Sequence, residues 1–316
     1  MKHGLKSLSL CMAAAMAMAL IWPTAAGAGE QPRFFYSGDG RLHLAGVRSG
    51  QSFKGVYRDG VDRYQPEALR AIRAAFDAPA EDSLAAISLR LIEFIDFLQD
   101  HFNPDAVVRI SSGWRSPEYN TRLRRTGSLA ATASLHQYGM AADIEIEGVA
   151  SRRIWDFVRQ LEFGGAGYYH GELVHVDVGP ARSWDENTSG VGTGISDDNK
   201  LIGLTADFDR YRPGEEIILR FIRMTAFPIG VSTEWKLSRQ PQERVTPSDI
   251  LFQPAFPIKN DLPCPHFGDI GQMMNIRWRL PQNLPPGRYK ILAFFCERIS
   301  PVMPDQVETA AFEVMP

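Results

Sequence analysis

The hydrophobic pattern changes character once, near residue 190, and that change limits the fold more than any other feature. Before it, helical and strand-like segments are mixed; beyond it, the apolar segments have strand-like spacing. Between the two lies 185–200, polar and carrying Gly190, Gly192 and Gly194, the composition of a linker. In the first part, 65–77 places Ala68, Leu69, Ile72 and Phe76 at helical intervals behind Pro66. Residues 83–100 repeat the pattern with Leu84, Ile87, Leu91, Phe94, Ile95 and Leu98, and 152–161 forms a third helix. Glycine-broken 33–57 reads as a hairpin, and 106–110 as a short strand. Ile144 and Ile146 alternate with Asp143, Glu145 and Glu147, and Val174, Val176 and Val178 alternate with His175 and Asp177, as in half-buried strands. The mixture is not a regular βαβ repeat, which predicts an α+β domain. Beyond 200, strand-like runs at 216–223, 232–237, 274–280, 288–295 and 307–314 are separated by turns such as Arg212-Pro213-Gly214 and Pro285-Pro286-Gly287. Roughly seven short strands predict an all-β immunoglobulin-like sandwich over 201–316.

The amino terminus bears on compartment. Lys2 and Lys6 precede an apolar run over 8–22, then Pro23 and the small residues Ala26-Gly27-Ala28. This pattern predicts a signal peptide, 1–28, cleaved before Gly29, and hence export to the periplasm. The alternative is an uncleaved anchor, for which the run is short. Once the leader is cleaved, no stable membrane insertion is expected. Cys264 and Cys296 would then meet an oxidising compartment, where pairing and two separate buried thiols both stay open. A formal net charge of -3, from 34 basic and 37 acidic residues, gives no basic excess for binding nucleic acid. With 44% hydrophobic and 22% charged residues, disorder is excluded.

Candidate chemistry lies between 111 and 184. Three clusters fall there: Ser112-Gly113-Trp114-Arg115-Ser116-Pro117 with Asn120; Ser134-Leu135-His136 through Asp143; and Gly167 through Gly179, which holds His170, Glu172, His175 and Asp177. A catalytic zinc takes three protein ligands and keeps one position open. His136, Asp143 and His175 supply imidazole, carboxylate and imidazole, the first from a loop and the others from strands. In the strand-rich part, Cys264-Pro265-His266 lacks the further ligands that a zinc site needs and reads as a surface turn.

Together these clusters resemble the M15-type zinc peptidases, close to their murein endopeptidase K branch. The resemblance spans 33–184, about half the chain, and also includes Tyr57-Arg58-Asp59-Gly60, Tyr64, Gly164 through Tyr169, and Arg182-Ser183-Trp184. It implies a zinc D-Ala-D-Ala-peptidase/hedgehog-like catalytic domain over 29–185 and hydrolysis of peptide cross-links in peptidoglycan. It further implies zinc as cofactor on His136, Asp143 and His175, with Arg115 as an oxyanion or carboxylate partner. Glu172, three positions before the second histidine, corresponds to the general base; Asp177 is the rival, with His170 a weaker third. Tyr138, Tyr168 and Tyr169 are candidates for a peptide groove, Tyr138 and Tyr169 foremost. Alternative readings are a non-catalytic cell-wall-binding module that keeps the metal site, and a zinc DD- or LD-carboxypeptidase of the same fold. Catalysis is expected to reside wholly before 185. The sandwich would affect only where the enzyme acts, through a cell-wall or protein partner, and would move independently about 186–200.

Overall fold

A seven-stranded mixed sheet carries the motif-bearing half of the chain. The computed structural model describes residues 31–80, 86–126, 130–241, 249–258 and 262–316. The expected signal peptide and the expected helix start at Ser83 lie outside the described residues. Strand β1 (Arg41–Gly46) pairs with β2 (Ser52–Val56), and β3 (Arg58–Asp59) with β4 (Arg63–Tyr64). Then follow β5 (Val108–Ser112), β6 (Ala141–Ile146), β7 (Gly165–Tyr168), β8 (Val174–Asp177) and β9 (Arg182–Asp185). The large sheet runs in the order β2-β1-β5-β6-β8-β7-β9. Ile144, Ile146, Val174 and Val176 are buried in the core, as their alternation predicts, so Asp143, His175 and Asp177 share the other face.

Among the described residues, four α-helices accompany the sheet: α1 (Pro66–Ala75), α2 (Leu89–Phe102), α3 (Pro117–Arg125) and α4 (Ser151–Gln160). Helix α2 starts later than the apolar periodicity suggests. Ser88 is extended, and its N–H donates to the Gly139 carbonyl at 2.9 Å, which ties the entry of α2 to the loop behind His136. At α3, Pro117 occupies the first turn and the Ser116 hydroxyl accepts the Tyr119 N–H at 3.0 Å.

The part beyond 200 is strand-rich, with Gly203–Ala206, Glu216–Ile222 and Ile276–Arg279 in one three-stranded sheet. A larger sheet is organised around the long strand Gly287–Glu297. The single strand expected at 307–314 is divided into Gln306–Glu308 and Phe312–Val314. The break is at buried Thr309, whose hydroxyl accepts the Ile291 N–H at 3.1 Å in place of a ladder carbonyl. Cys264 and Cys296 form a disulfide. Closing a loop of that length contributes about 3–4 kcal/mol by constraining the unfolded chain.

Residues 32–316 form one compact unit, and the two halves meet through buried polar contacts. Arg90 of α2 pairs with Asp209 at 2.8 Å, with both side chains under a tenth exposed, and donates to the Ala206 carbonyl at 2.9 Å. Arg33 pairs with Glu215 at 2.8 Å. Tyr138 Oη accepts the Met224 N–H at 3.1 Å. A buried charge pair is costly to separate. These contacts therefore hold the halves in one arrangement, in place of the independent motion that the glycine-containing segment suggested.

Candidate metal centre

Three donor atoms converge on the face of the sheet opposite the core. His136 sits in a short helical turn, Leu135–Tyr138, just before β6. Asp143 on β6 and His175 on β8 are direct cross-strand partners. His175 Nδ1 lies 3.0 Å from Asp143 Oδ1 and 3.3 Å from His136 Nε2, and His136 Nε2 lies 3.5 Å from Asp143 Oδ1. Ligand atoms about 2.0–2.2 Å from a tetrahedral ion stand roughly 3.3 Å apart, so the triangle fits one zinc-sized cation. All three residues are buried.

Each imidazole is oriented by its other nitrogen. His136 Nδ1 lies 2.7 Å from the Gly113 carbonyl, to which it donates, leaving Nε2 for a metal. His175 Nε2 lies 2.9 Å from Asp177 Oδ2, leaving Nδ1. Asp177, fully buried, is itself held by both Nη atoms of Arg182, at 2.6 and 3.0 Å. Asp143 is held as firmly: Arg115 Nη2 donates to Oδ2 at 2.6 Å and Tyr169 Oη donates to Oδ1 at 3.0 Å. Arg115 Nε donates to Ser112 Oγ at 2.9 Å.

Strand register explains why these side chains meet. Ser112, Asp143, His175, Gly167 and Trp184 form one row across β5, β6, β8, β7 and β9. A Cβ at Gly167 would come within 2.2 Å of the Trp184 ring, so glycine there lets the indole approach His175, with ring centroids 5.6 Å apart. The next row places Asp177, Gly165 and Arg182 side by side. A Cβ at Gly165 would meet the Asp177 carboxylate at 2.1 Å, so the Asp177–Arg182 pair needs this glycine.

Burial tends to raise the Asp143 pKa, but the adjacent His136 and the hydrogen bonds from both histidines hold it well below the usual range. Burial and the Arg115 charge keep His136 low against the pull of Asp143. His175 goes the other way: burial works to lower it, while its bonds to Asp143 and Asp177 prevail and raise it. A raised histidine keeps its proton further up the pH scale, and that proton occupies Nδ1, where a metal would bind. Metal affinity should therefore fall about tenfold per pH unit once the pH is below the His175 pKa. Chelator competition at pH 7.5 and pH 5.5 measures this, and equal affinity at both would contradict it.

The other expected site residues are placed as follows. Arg115 and Tyr169 line the pocket of about 430 Å³ that contains His136 and His175. Tyr138 does not: it is fully buried, and its hydroxyl is occupied by Met224, so a groove-lining role is inconsistent with its position. Tyr168 packs against Trp155 and His170. Glu172 is exposed in the β7–β8 turn, makes no hydrogen bond or ion pair among the described residues, and is not among the residues that line this pocket. His170 in the same turn is exposed, with its Nε2 3.4 Å from Asn187. Arg182 and Trp184 stand in the motif Arg182-Ser183-Trp184, but nothing in the sequence alone marks their roles. Arg223, which the sequence alone does not single out, lines the same pocket from beyond residue 200. No local signal marks Arg223, because only the tertiary fold brings it there.

A family model described as peptidoglycan L,D-endopeptidase MepK matches residues 37–184. The peptidoglycan L,D-endopeptidase MepK of Escherichia coli K12 is 33% identical over 144 residues, covering 45% of this chain and 79% of the relative. The Shigella flexneri protein of that name matches to the same extent. A probable peptidoglycan L,D-endopeptidase MepK of Haemophilus influenzae is 36% identical over 81 residues, 25% of this chain and 44% of the relative. The family match ends at Trp184, at the edge of the large sheet.

Proposed function

The chain belongs to the peptidoglycan L,D-endopeptidase MepK family of M15 peptidases, and on that premise we propose that it is an exported endopeptidase that hydrolyses peptide cross-links of peptidoglycan with one zinc ion on His136, Asp143 and His175. The observation that carries this reading is the triangle of donor atoms 3.0–3.5 Å apart, with each histidine oriented by an acceptor on its other nitrogen. Among the described residues, no helix is long and apolar enough to cross a membrane. The leader pattern at 1–28 is what supports export to the periplasm. The strand content beyond 200 is what supports a sandwich of immunoglobulin-like type there.

Zinc at this site would supply Lewis-acid activation of water and of the scissile carbonyl. The chain's own groups do the rest. Asp177 and Arg182 fix the His175 ring, so that Nδ1 and not Nε2 faces the donor triangle. Arg115 is anchored through Nε and Nη2, and its charge stands beside Asp143 in the pocket, where it stabilises an oxyanion developing on the substrate. Tyr169 presents its ring to the pocket while its hydroxyl donates to Asp143. Glu172 takes the proton from the attacking water and passes it to the leaving amine. Asp177 suits that task less, because the charge of Arg182 and the His175 bond hold its pKa far below the carboxylate range, against the opposing effect of burial.

A purified cross-linked muropeptide dimer separates the readings. Conversion to two monomers is the expected result. Release of a single terminal amino acid would make the chain a carboxypeptidase, and no product with intact metal content would make it a binding module.

A further inference from the structure

Arg223 follows the strand Glu216–Ile222 and enters the wall of the pocket that holds His136 and His175. Its backbone is left-handed, with φ of 61°, a conformation that an arginine adopts only where its surroundings enforce it. The enforcement is visible on the following residues. Met224 N–H donates to Tyr138 Oη at 3.1 Å. Thr225 and Ala226 N–H both donate to Asn199 Oδ1, at 2.7 and 3.0 Å, and Asn199 Nδ2 donates to the Ala226 carbonyl at 2.9 Å. Thr225 Oγ1 donates to the Ser196 carbonyl at 2.9 Å. Ser196 belongs to the same pocket wall. The turn is thus bolted to the buried Tyr138 on one side and to the wall segment on the other.

Among the described residues, the side chain positioned in this way has no hydrogen-bond or ion-pair partner. Arg115 and Arg182, also in this pocket, are matched by Asp143 and Asp177. The Arg223 side chain is half-buried, yet among the described residues it makes no hydrogen bond and no ion pair. Burial, then the charge of Arg182, lowers its pKa to about 10 against the opposing charge of Asp177, so it stays protonated at neutral pH. A partly desolvated cation that no carboxylate touches is unfavourable until a ligand supplies a direct partner. A guanidinium offers a planar pair of N–H donors matched to a carboxylate.

From this geometry we infer that Arg223 anchors the terminal carboxylate of the substrate peptide, so that the strand-rich half completes the specificity of the pocket. The inference rests on the reading that peptides enter this pocket. It replaces the expectation that everything the reaction needs lies before residue 185. Tyr138 then has a positioning role, as the residue that holds the turn bearing Arg223.

The test is calorimetric binding of a linear peptidoglycan stem peptide with its terminal carboxylate free, and of the same peptide amidated, to the full-length protein. Wild type should bind the free acid about 10- to 100-fold more tightly than the amide. Arg223→Gln should bind both at the level of the amide, and Arg223→Lys should recover part of the difference. Arg223→Gly removes the charge while accepting the left-handed backbone, so it serves if the glutamine variant folds poorly. Metal content equal to wild type certifies each variant. Equal affinity of wild type for acid and amide, or discrimination that persists in Arg223→Gln or Arg223→Gly, would overturn the inference. Binding does not require turnover: a chain that discriminates through Arg223 but cuts no muropeptide would sink the proposed reaction and leave this inference standing.

Discussion

His175→Ala should leave the fold intact, retain no metal after dialysis, and lower muropeptide turnover about a thousandfold or more. The substitution removes one of the three donors and also one of the groups that hold Asp143 Oδ1 in place. Arg182 stays paired with Asp177, so no buried carboxylate is left without a partner. Asp177→Asn makes the graded comparison. It keeps all three donors but weakens the orientation of His175, for which a loss of about 10- to 100-fold in metal affinity is expected. Metal analysis of the two variants beside wild type checks both statements. Equal metal content in His175→Ala and wild type would remove the site.

Glu172→Gln should keep the metal and lose about 10²–10⁴ in turnover, the usual contribution of a general base. Glutamine preserves shape but cannot take a proton. Glu172 stands in the turn joining β7 to β8, whose Gly171 carbonyl accepts a hydrogen bond from Ser151 at the start of α4. Among the described residues nothing bonds the Glu172 carboxylate, which is exposed to solvent. An active Glu172→Gln beside an Asp177→Asn that binds metal but does not turn over would transfer the role to Asp177.

What the sequence disclosed and what it hid divide along physical lines. His136, Asp143 and His175 were legible because metal chemistry restricts residue types, and because strand alternation puts Asp143 and His175 on one face. The cross-strand register that makes them direct neighbours is a property of the sheet, but the motif glycines encode it, since Gly165 and Gly167 are where two larger side chains must pass. Tyr138 misled because a tyrosine amid a site motif suggests a groove. Its hydroxyl can be buried only if it finds a partner, and that partner, Met224, is 86 residues away. The same distance hid Arg223. The later start of α2 was hidden because Ile87 and Leu84 continue a helical period while the Ser88 backbone is taken up by Gly139. The cysteines left pairing open because two thiols carry no geometry until the strands bring them together.

The proposed reaction is cleavage of a peptide cross-link with the help of a metal on these three residues. The most direct measurement uses the full chain stripped of metal by a chelator, then reloaded with one equivalent of zinc, against a defined L,D-cross-linked muropeptide dimer. No monomer release is expected from the stripped protein, and restored release on reloading. Cleavage that continues undiminished in metal-free protein, or a fully zinc-loaded protein that leaves the cross-link intact, would contradict the proposed reaction.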